Sequence, residues 1–456
     1  MNLILLSGGS GQRLWPLSNE TRSKQFLKVL RNDAGEPESM VQRVHRQIRA
    51  AGLSGRIVVA TGRSQVDPIR SQLGAEVEIV LEPERRDTFP ATALACAFLA
   101  HEKGIPEDEP VVVLPVDPYA EAAYFETIRA MERLVRDGAA DLVLMGIRPT
   151  YPSSKYGYIL PRRGGDADGA GAGADDAGYL RVARFQEKPS EALAARLIAE
   201  ERALWNGGVF AFRLGYLLRI ARTHVDFATY AEAHERFAQF PRLSFDYAVA
   251  EKEPSIAMRV YEGVWKDLGT WNTLTEVMER PANGDVVLGD GCENTHAINE
   301  LGIPLVVLGA KDMVVAAGPD GILVSDKARS ARMKPYVARV ARRPMVEERR
   351  WGGYRVLEVG PCGDGLQSLT KRIDVRAGMG LGYQRHAQRD EVWTVVDGEG
   401  EFVLEGAARR IRRGDVLRIG RGEKHAVRAE SDLRIIAVQI GACVDEDDVE
   451  RFEWTW

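Results

Sequence analysis

The 456-residue sequence predicts an α/β domain with a mostly parallel sheet, followed by a β-rich second half. Up to about residue 280, short apolar runs alternate with helical stretches, the pattern of strands covered on both faces. Beyond that point the chain changes to short β runs punctuated by glycine turns. A hydrophobic share of 45% and a charged share of 28% are ordinary for a globular protein, and the length calls for two or three domains.

The first strand is the apolar run Leu3 to Leu6, and it meets glycine at once: Gly8, Gly9 and Gly11, then Arg13, Pro16, Arg22 and Lys24. Glycine permits close backbone approach, and consecutive free N–H groups make a nest for an anion. The plain alternative is a tight strand-to-helix turn without ligand. Two familiar phosphate loops do not match. A Walker loop ends in Gly-Lys-Ser/Thr, and here Gln12-Arg13 follows; the dinucleotide fingerprint needs a glycine where Leu14 stands. Further strands are expected at "RIVVAT" (Arg56–Thr61), "VEIVLEP" (Val77–Pro83), "PVVVLPVD" (Pro110–Asp117) and "DLVLMGI" (Asp141–Ile147). In such a sheet ligands collect at the carboxyl ends of strands, where the glycine loop and Asp117 both fall.

"GGDADGAGAGADDAG" (Gly164–Gly178) reads as a flexible acidic loop between two hairpin arms. The domain division expected is 1–280, then a small β module over 281–336 with the pattern of a short β-helix, a linker helix over 337–350, and a β-barrel or sandwich over 351–456.

A net charge of −5 leaves no basic field, so nucleic acid is not an expected partner. Cys96, Cys292, Cys362 and Cys443 are scattered without a Cys-x-x-Cys pair, against a disulfide framework or a Cys-rich zinc site. The short N-terminal apolar run is neither a signal peptide nor a membrane span, and the expected location is the cytoplasm.

Asp117 follows a buried strand and Asp267 precedes a glycine turn in "VWKDLGTW". Each alone reads as a cap. Together with a phosphate loop they suit Mg²⁺ bridging nucleotide phosphates. Glu187-Lys188 in "FQEKPS" and Asn206 in "LWNGGVFAFR" are candidates for a sugar and its phosphate, the plain alternative being a solvated ion pair.

Gly-Gly-x-Gly-x-Arg-Leu-x-Pro-Leu, Lys24-Gln25-Phe26-Leu27, Glu187-Lys188-Pro189 and Trp205-Asn206-Gly207 come in the order found in sugar-nucleotide pyrophosphorylases. "GIRPTYPSSKYGYI", "DYAVAEK" and "WKDLGTW" add to it. The chain resembles bacterial mannose-1-phosphate guanylyltransferases of the long type that also carries mannose-6-phosphate isomerase activity. The resemblance implies a Rossmann-like, GT-A-like nucleotidyltransferase mixed sheet, a small β module and a C-terminal cupin barrel. It also implies the reaction GTP plus mannose 1-phosphate to GDP-mannose plus pyrophosphate, in a homo-oligomeric enzyme that makes polysaccharide precursors. By resemblance Gly8, Gly9 and Gly11 cradle the nucleotide, and Arg13 neutralises the β/γ-phosphates. Lys24 lies near the reacting phosphates, and Asp117 and Asp267 hold Mg²⁺. Glu187 and Asn206 bind sugar hydroxyls, Lys188 binds the sugar phosphate, and Arg86 is a nucleotide contact. Glu82 has the chemistry to accept from guanine N1–H and N2–H₂, which adenine does not match. Two departures bear on substrate preference: the family's Arg-Asn-Thr-Ala-Pro reads Arg86-Asp87-Thr88-Phe89-Pro90, and its Asp-His reads Asp117-Pro118.

In the last domain Gly378, Gln384, His386, Glu391 and Gly398 follow cupin spacing with glutamine at the first histidine position, and Gly414, Gly422 and His425 follow the second motif, with Gly420 in place of its usual proline. A lone histidine in a strand is more often structural. Gln384, His386, Glu391 and His425 together make a mixed N/O set suited to Zn²⁺ or a similar divalent ion. By resemblance this is the ligand set of a mannose-6-phosphate isomerase, with Arg389 as a catalytic arginine. The family's Gln-Met-His-His-His-Arg-Ala-Glu-His-Trp reads "QRHAQRDEVW", which loses histidines at Ala387, Gln388 and Val392. Two other readings stay open: a one-reaction transferase for another hexose 1-phosphate with a structural cupin, and a sugar-nucleotide sensor without turnover.

Overall fold

A computed structural model describes residues 1–9, 12–53, 55–162, 178–340 and 343–456. The acidic segment read as a flexible loop, apart from Gly178, lies outside the described residues, as does Gly11. The chain divides into two compact units. The first comprises Met1–Ser10, Lys24–Val66 and Leu73–Glu279; the second comprises Gly11–Ser23, Asp67–Gln72 and Arg280–Trp456.

The first unit is built on nine described strands in one mixed sheet. Its order is Glu78–Glu82, Arg56–Gly62, Asn2–Ser7, Pro110–Pro115, Leu204–Arg213, Leu142–Ile147, Ile256–Tyr261, Leu180–Gln186, Tyr158–Pro161. The first four run parallel, and Leu204–Arg213 is antiparallel to both its neighbours. Central strands such as Pro110–Pro115 and Leu142–Ile147 are buried almost throughout, which is why they read as unbroken apolar runs. Helix Thr88–His101 is apolar around most of its circumference and lies inside the main core. The arms Tyr158–Pro161 and Leu180–Gln186 pair antiparallel. A two-stranded ladder sets Trp265–Asp267 against Pro118–Ala120, with Asp267 opposite Pro118. That register brings the segment carrying Asp267 beside Asp117.

In the second unit, Ala282–Asn283, His296–Asn299 and Met313–Gly318 stack as parallel rungs, closed by antiparallel Gly321–Asp326. Val286–Leu288 and Leu305–Val307 form a second parallel pair. Arg22 is held by both oxygens of Glu300, at 2.6 and 3.0 Å, and Asn19 by Asp320 at 2.6 Å. Arg22 therefore fastens its own segment to these rungs.

Among the described residues no linker helix runs over the expected stretch 337–350. A single helical turn, Lys334–Val337, precedes it, and Val346–Arg349 is a strand paired antiparallel with the start of Gly352–Pro361. Pro344 cannot donate to a helical ladder, and the residues after it gain sheet hydrogen bonds instead.

The C-terminal part is a pair of antiparallel sheets, six-stranded and five-stranded, around a core of Tyr354, Leu369, Trp393, Phe402, Ile411 and Ile435. Glu391 and Trp393 alternate inward along Arg389–Asp397. No helix of the described residues is long and apolar enough to cross a membrane.

Candidate functional site

Four parallel strands end at one cleft of about 650 Å³. Ser7 to Gly9, Gly62, Glu82 and Asp117, at or just beyond those ends, line it together with Gln65, Arg85, Arg86, Asp87, Gly208, Arg242 and Asp246. Behind the glycines is a buried amide network. Gln65 donates to the Gly9 carbonyl at 3.1 Å, Gln25 donates to Gln65 at 3.0 Å, and Ser7 donates to Gln65 at 3.1 Å. A Cβ on Gly9 would meet nothing within 4 Å, while one on Gly8 would lie 3.9 Å from Glu82 Oε1. The glycine backbone thus faces open space, as an anion cradle requires.

Lys24 Nζ lies 2.7 Å from Asp117 Oδ2 and 3.3 Å from Asp267 Oδ1. The two carboxylates therefore converge on one small cation. Burial by itself would lower the lysine, but Asp117 and then Asp267 reverse that and raise it, so the ammonium stays charged. A pair of hard oxygen donors that already closes on a cation fits Mg²⁺.

Glu82 is buried at the end of its strand and is pushed up to about 7, first by burial, with Asp87 adding to the rise and Arg85 opposing it. Asp87 has a positive φ of 74° and caps helix Thr88–His101, accepting from Thr88 N–H at 2.7 Å. The acid that replaces the family's asparagine is thus accommodated as a helix cap. Arg86 borders the cleft but is tied back, donating to Glu84 at 2.7 Å and to the Phe240 carbonyl at 2.7 Å. Arg85, which no sequence motif singled out, is exposed on the cleft wall.

Asn206 and Glu187 come from different strands. Asn206 sits at a bulge that Gly207 and Gly208 make possible, with Gly208 at φ 70°. Its Nδ2 donates to Asp246 Oδ1 at 2.7 Å, and its Oδ1 accepts from Gly208 N–H at 3.1 Å. Glu187 is buried and accepts from Lys188 Nζ at 2.6 Å. Gly157 leaves room beside it: a Cβ there would fall 2.5 Å from Glu187 Oε2. Asp246 opens the "DYAVAEK" motif. It lines the cleft and is pushed up to about 7, first by burial and then by Glu187. Tyr151, Tyr156, Trp205 and Trp265 form an aromatic cluster with ring centroids 4.8–6.4 Å apart. Arg13 is exposed on the short turn Gln12–Leu14, in the second compact unit.

The barrel holds a separate cavity of about 320 Å³, lined by Gln384, His386, Arg389, Glu391, Trp393, Gln439, Lys371 and Glu446 among others. Among the described residues, His386, Glu391 and His425 form the one cluster of three or more metal-type side chains, their donor atoms all within 4.8 Å of one another. Sheet register explains the gathering: Gln384 pairs with His425 on one sheet, and Glu391 pairs with Gln439 on the other. The strand bearing Gln384 ends at Arg385, so His386 lies just past its end. There its Nδ1–H donates to the Asp448 carbonyl at 2.5 Å, and His425 Nδ1–H donates to the Glu423 carbonyl at 3.1 Å. Both rings are thereby set with Nε2 as the acceptor, and buried His425 Nε2 has no hydrogen-bond partner. An orphaned imidazole nitrogen beside a second imidazole and a carboxylate fits a divalent ion. Burial would raise Glu391, but His386, Lys371, His425 and Arg389 outweigh it and hold the carboxyl down at about 2. Gln439 and Trp393, which the sequence motifs do not mark as site residues, donate to its two oxygens at 2.7 Å each. Arg389 donates to Glu391 Oε1 at 2.9 Å and to His386 Nε2 at 3.4 Å.

A glycine-lined cleft at the carboxyl ends of a mixed α/β sheet, in one chain with a histidine-lined β-barrel, is the frame of a transferase-type enzyme with a cupin-like appendage. The comparisons with known proteins narrow this. Residues 2–283 match the nucleotidyl transferase family model, and residues 341–454 match that of the mannose-6-phosphate isomerase C-terminal domain. The xanthan biosynthesis protein XanB of Xanthomonas campestris pv. campestris (strain B100) is 33% identical, covering 99% of this chain and 98% of its own. The mannose-1-phosphate guanylyltransferase of Escherichia coli (strain K12) is 31% identical, over 98% of this chain and 97% of its own. Among solved structures, the mannose-1-phosphate geranyltransferase of Thermus thermophilus aligns with 74% of this chain and 98% of its own, with a TM-score of 0.59 and 29% identity. The chain belongs to the nucleotidyl transferase family and is a nucleotidyltransferase that carries a mannose-6-phosphate isomerase-type C-terminal domain.

Proposed function

We propose that the chain transfers a guanylyl group from GTP to mannose 1-phosphate, releasing pyrophosphate and forming GDP-mannose, and that its barrel interconverts mannose 6-phosphate and fructose 6-phosphate. The observation that carries the first reaction is the meeting of Asp117, Asp267 and Lys24 at the end of the glycine-lined cleft. The Escherichia coli relative bears the name of this activity.

In this reading the backbone of Gly8, Gly9 and Gly11 receives the triphosphate, and Arg13 faces the departing pyrophosphate. Glu82, as a carboxylate, accepts from both N–H donors of guanine, with Arg86 beside it. Glu187 and Asn206 take sugar hydroxyls, and Lys188 takes the sugar phosphate. An oxygen of that phosphate attacks the α-phosphorus in line as the bond to pyrophosphate breaks. The chain's part is to position both anions and neutralise charge through Lys24. Asp117 and Asp267 would hold Mg²⁺, which supplies Lewis-acid neutralisation of the phosphates.

In the barrel Gln384, His386, Glu391 and His425 would hold Zn²⁺ or another divalent ion, which supplies polarisation of the C1 and C2 oxygens of the sugar. Arg389 stands beside it as the cationic partner. One observation favours a second reading, a structural barrel in a one-reaction enzyme: the Arg389 guanidinium already neutralises Glu391 and touches His386.

The test is a pair of assays on one preparation. Pyrophosphate release from GTP and mannose 1-phosphate, absent with other hexose 1-phosphates, is the expected result for the cleft. Fructose 6-phosphate formation by Zn²⁺- or Co²⁺-reloaded protein, lost in His386→Ala, is the expected result for the barrel. Transfer without isomerisation under any metal selects the structural barrel, and absence of pyrophosphate release with every nucleotide and sugar phosphate overturns the transferase reading.

A further inference from the structure

The segment "DYAVA" does not form an ordinary helix. Asp246–Ala250 is a π-helical turn, closed by the Glu251 N–H donating to the Asp246 carbonyl at 2.9 Å. In an α-helix, residues five apart point roughly 140° away from each other. The i→i+5 bond instead stacks Asp246 and Glu251 one above the other, and such turns recur at functional sites.

Each end of this turn holds one of the two residues assigned to the sugar. Asp246 Oδ1 accepts from Asn206 Nδ2 at 2.7 Å, and Glu251 Oε1 accepts from the Glu187 N–H at 3.1 Å. Asn206 and Glu187 lie on, or just past, two strands that do not pair with each other. The turn itself is firmly seated. Phe245 donates from its N–H to Thr88 Oγ1 at 2.8 Å, its ring packs 4.3 Å from that of Phe210, and Ala248, Val249 and Ala250 are buried.

We propose that this π turn, with Glu251 at its end, is a positioning element for the hexose 1-phosphate: Asp246 sets the amide of Asn206, and Glu251 sets the peptide of Glu187. The inference rests on the reading of those two residues as sugar contacts. Because Asn206 also accepts from Gly208, its amide has one orientation, with one N–H left to offer. A site whose polar groups are fixed in this way discriminates between sugars that place a hydroxyl differently, since a misplaced hydroxyl leaves the site's own groups unpaired.

The experiment compares Asp246→Ala and Glu251→Ala with Asp246→Asn and Glu251→Gln, which keep an accepting oxygen. KM is measured separately for GTP and for mannose 1-phosphate, mannose 1-phosphate binding is followed by calorimetry without GTP, and a melting curve controls for folding. Expected are a KM for mannose 1-phosphate raised about 10-fold in each alanine variant, a KM for GTP within about two-fold of wild type, and recovery of most of the loss in Asn and Gln. A joint rise of both KM values, no rise, or no recovery in the conservative pair overturns the proposal. If wild type gives no turnover but its binding of mannose 1-phosphate weakens in the alanine variants, the reaction assignment fails and the positioning element stands. No binding by wild type overturns both.

Discussion

The cleft and the barrel cavity gather the same kinds of side chain and treat them in opposite ways. In the cleft, Asp117 and Asp267 are 33% and 35% exposed and share one lysine. In the barrel, His386, Glu391 and His425 are 4%, 2% and 1% exposed, and both Glu391 oxygens accept from neighbours. Their buried carboxylates also move in opposite directions: Glu82 is pushed up to about 7, and Glu391 is held down at about 2. Half-solvated carboxylates suit ligands that come and go with each turnover. Fully enclosed donors suit one resident ion, because the cost of desolvating them is met by neighbours already in place.

The strongest way to break this contrast is Asp117→Asn. It leaves Lys24 with one carboxylate and should cut pyrophosphate release by about 10²–10³-fold, the scale of losing one electrostatic stabiliser in a reacting site. A loss under about three-fold, with an unchanged melting curve, would remove Asp117 from the chemistry.

Next in size is Gln439→Leu, which takes from Glu391 Oε1 its amide donor. The barrel's affinity for Zn²⁺, measured by competition with a chelator, is expected to fall about 10–100-fold. Unchanged affinity would mean that Glu391 is not a ligand.

A third measurement separates the carboxylates by sign. Folded Glu82 titrates near 7 against an ordinary value of 4.5, so across that window the folded cleft keeps a proton that the unfolded chain has released. Its contribution to stability is complete below about 4.5 and is lost as pH rises through about 7. Glu82→Gln, which cannot ionise, should therefore stabilise the protein by on the order of 1–3 kcal/mol more at about pH 8 than at about pH 5, read from denaturant melts. An equal effect at both pH values would show that the carboxyl is not held protonated.

The smallest effect is expected from Gly157→Ala. Its methyl would crowd Glu187 Oε2 and the Phe185 ring, costing about 1 kcal/mol of stability. The accompanying weakening should fall on mannose 1-phosphate and not on GTP. A uniform loss for both would place Gly157 outside the sugar end.

What could be read in the sequence follows how local each feature is. The parallel strands were legible because burial on both faces leaves unbroken apolar runs such as Pro110–Pro115. The gathering of His386, Glu391 and His425 was legible because two of them fall in one short spacing motif and the third in its partner motif. Gln439 was not, since it reaches Glu391 from a strand 48 residues away. The closeness of Asp117 and Asp267 was legible only as a shared ion site, and not the pairing of Trp265–Asp267 with Pro118–Ala120 that produces it. "DYAVA" carries no local sign of its i→i+5 bond. The helix expected over 337–350 failed for the reverse reason: sheet pairing overrode a stretch with helix-forming residues.

If Asp117 and Asp267 hold Mg²⁺ as proposed, Lys24 gives the cleft the behaviour of an ion exchanger. Its ammonium is a tethered counterion, so a divalent ion arriving alone must displace a cation that cannot diffuse away, and then leave that charge uncompensated. A triphosphate arriving with the metal brings the ammonium a new anion. Loading is thereby tied to charge balance, and titration with Mg²⁺ alone should show far weaker uptake than titration in the presence of GTP. In that reading the ammonium balances the two carboxylates until a metal-bound triphosphate takes over the balance.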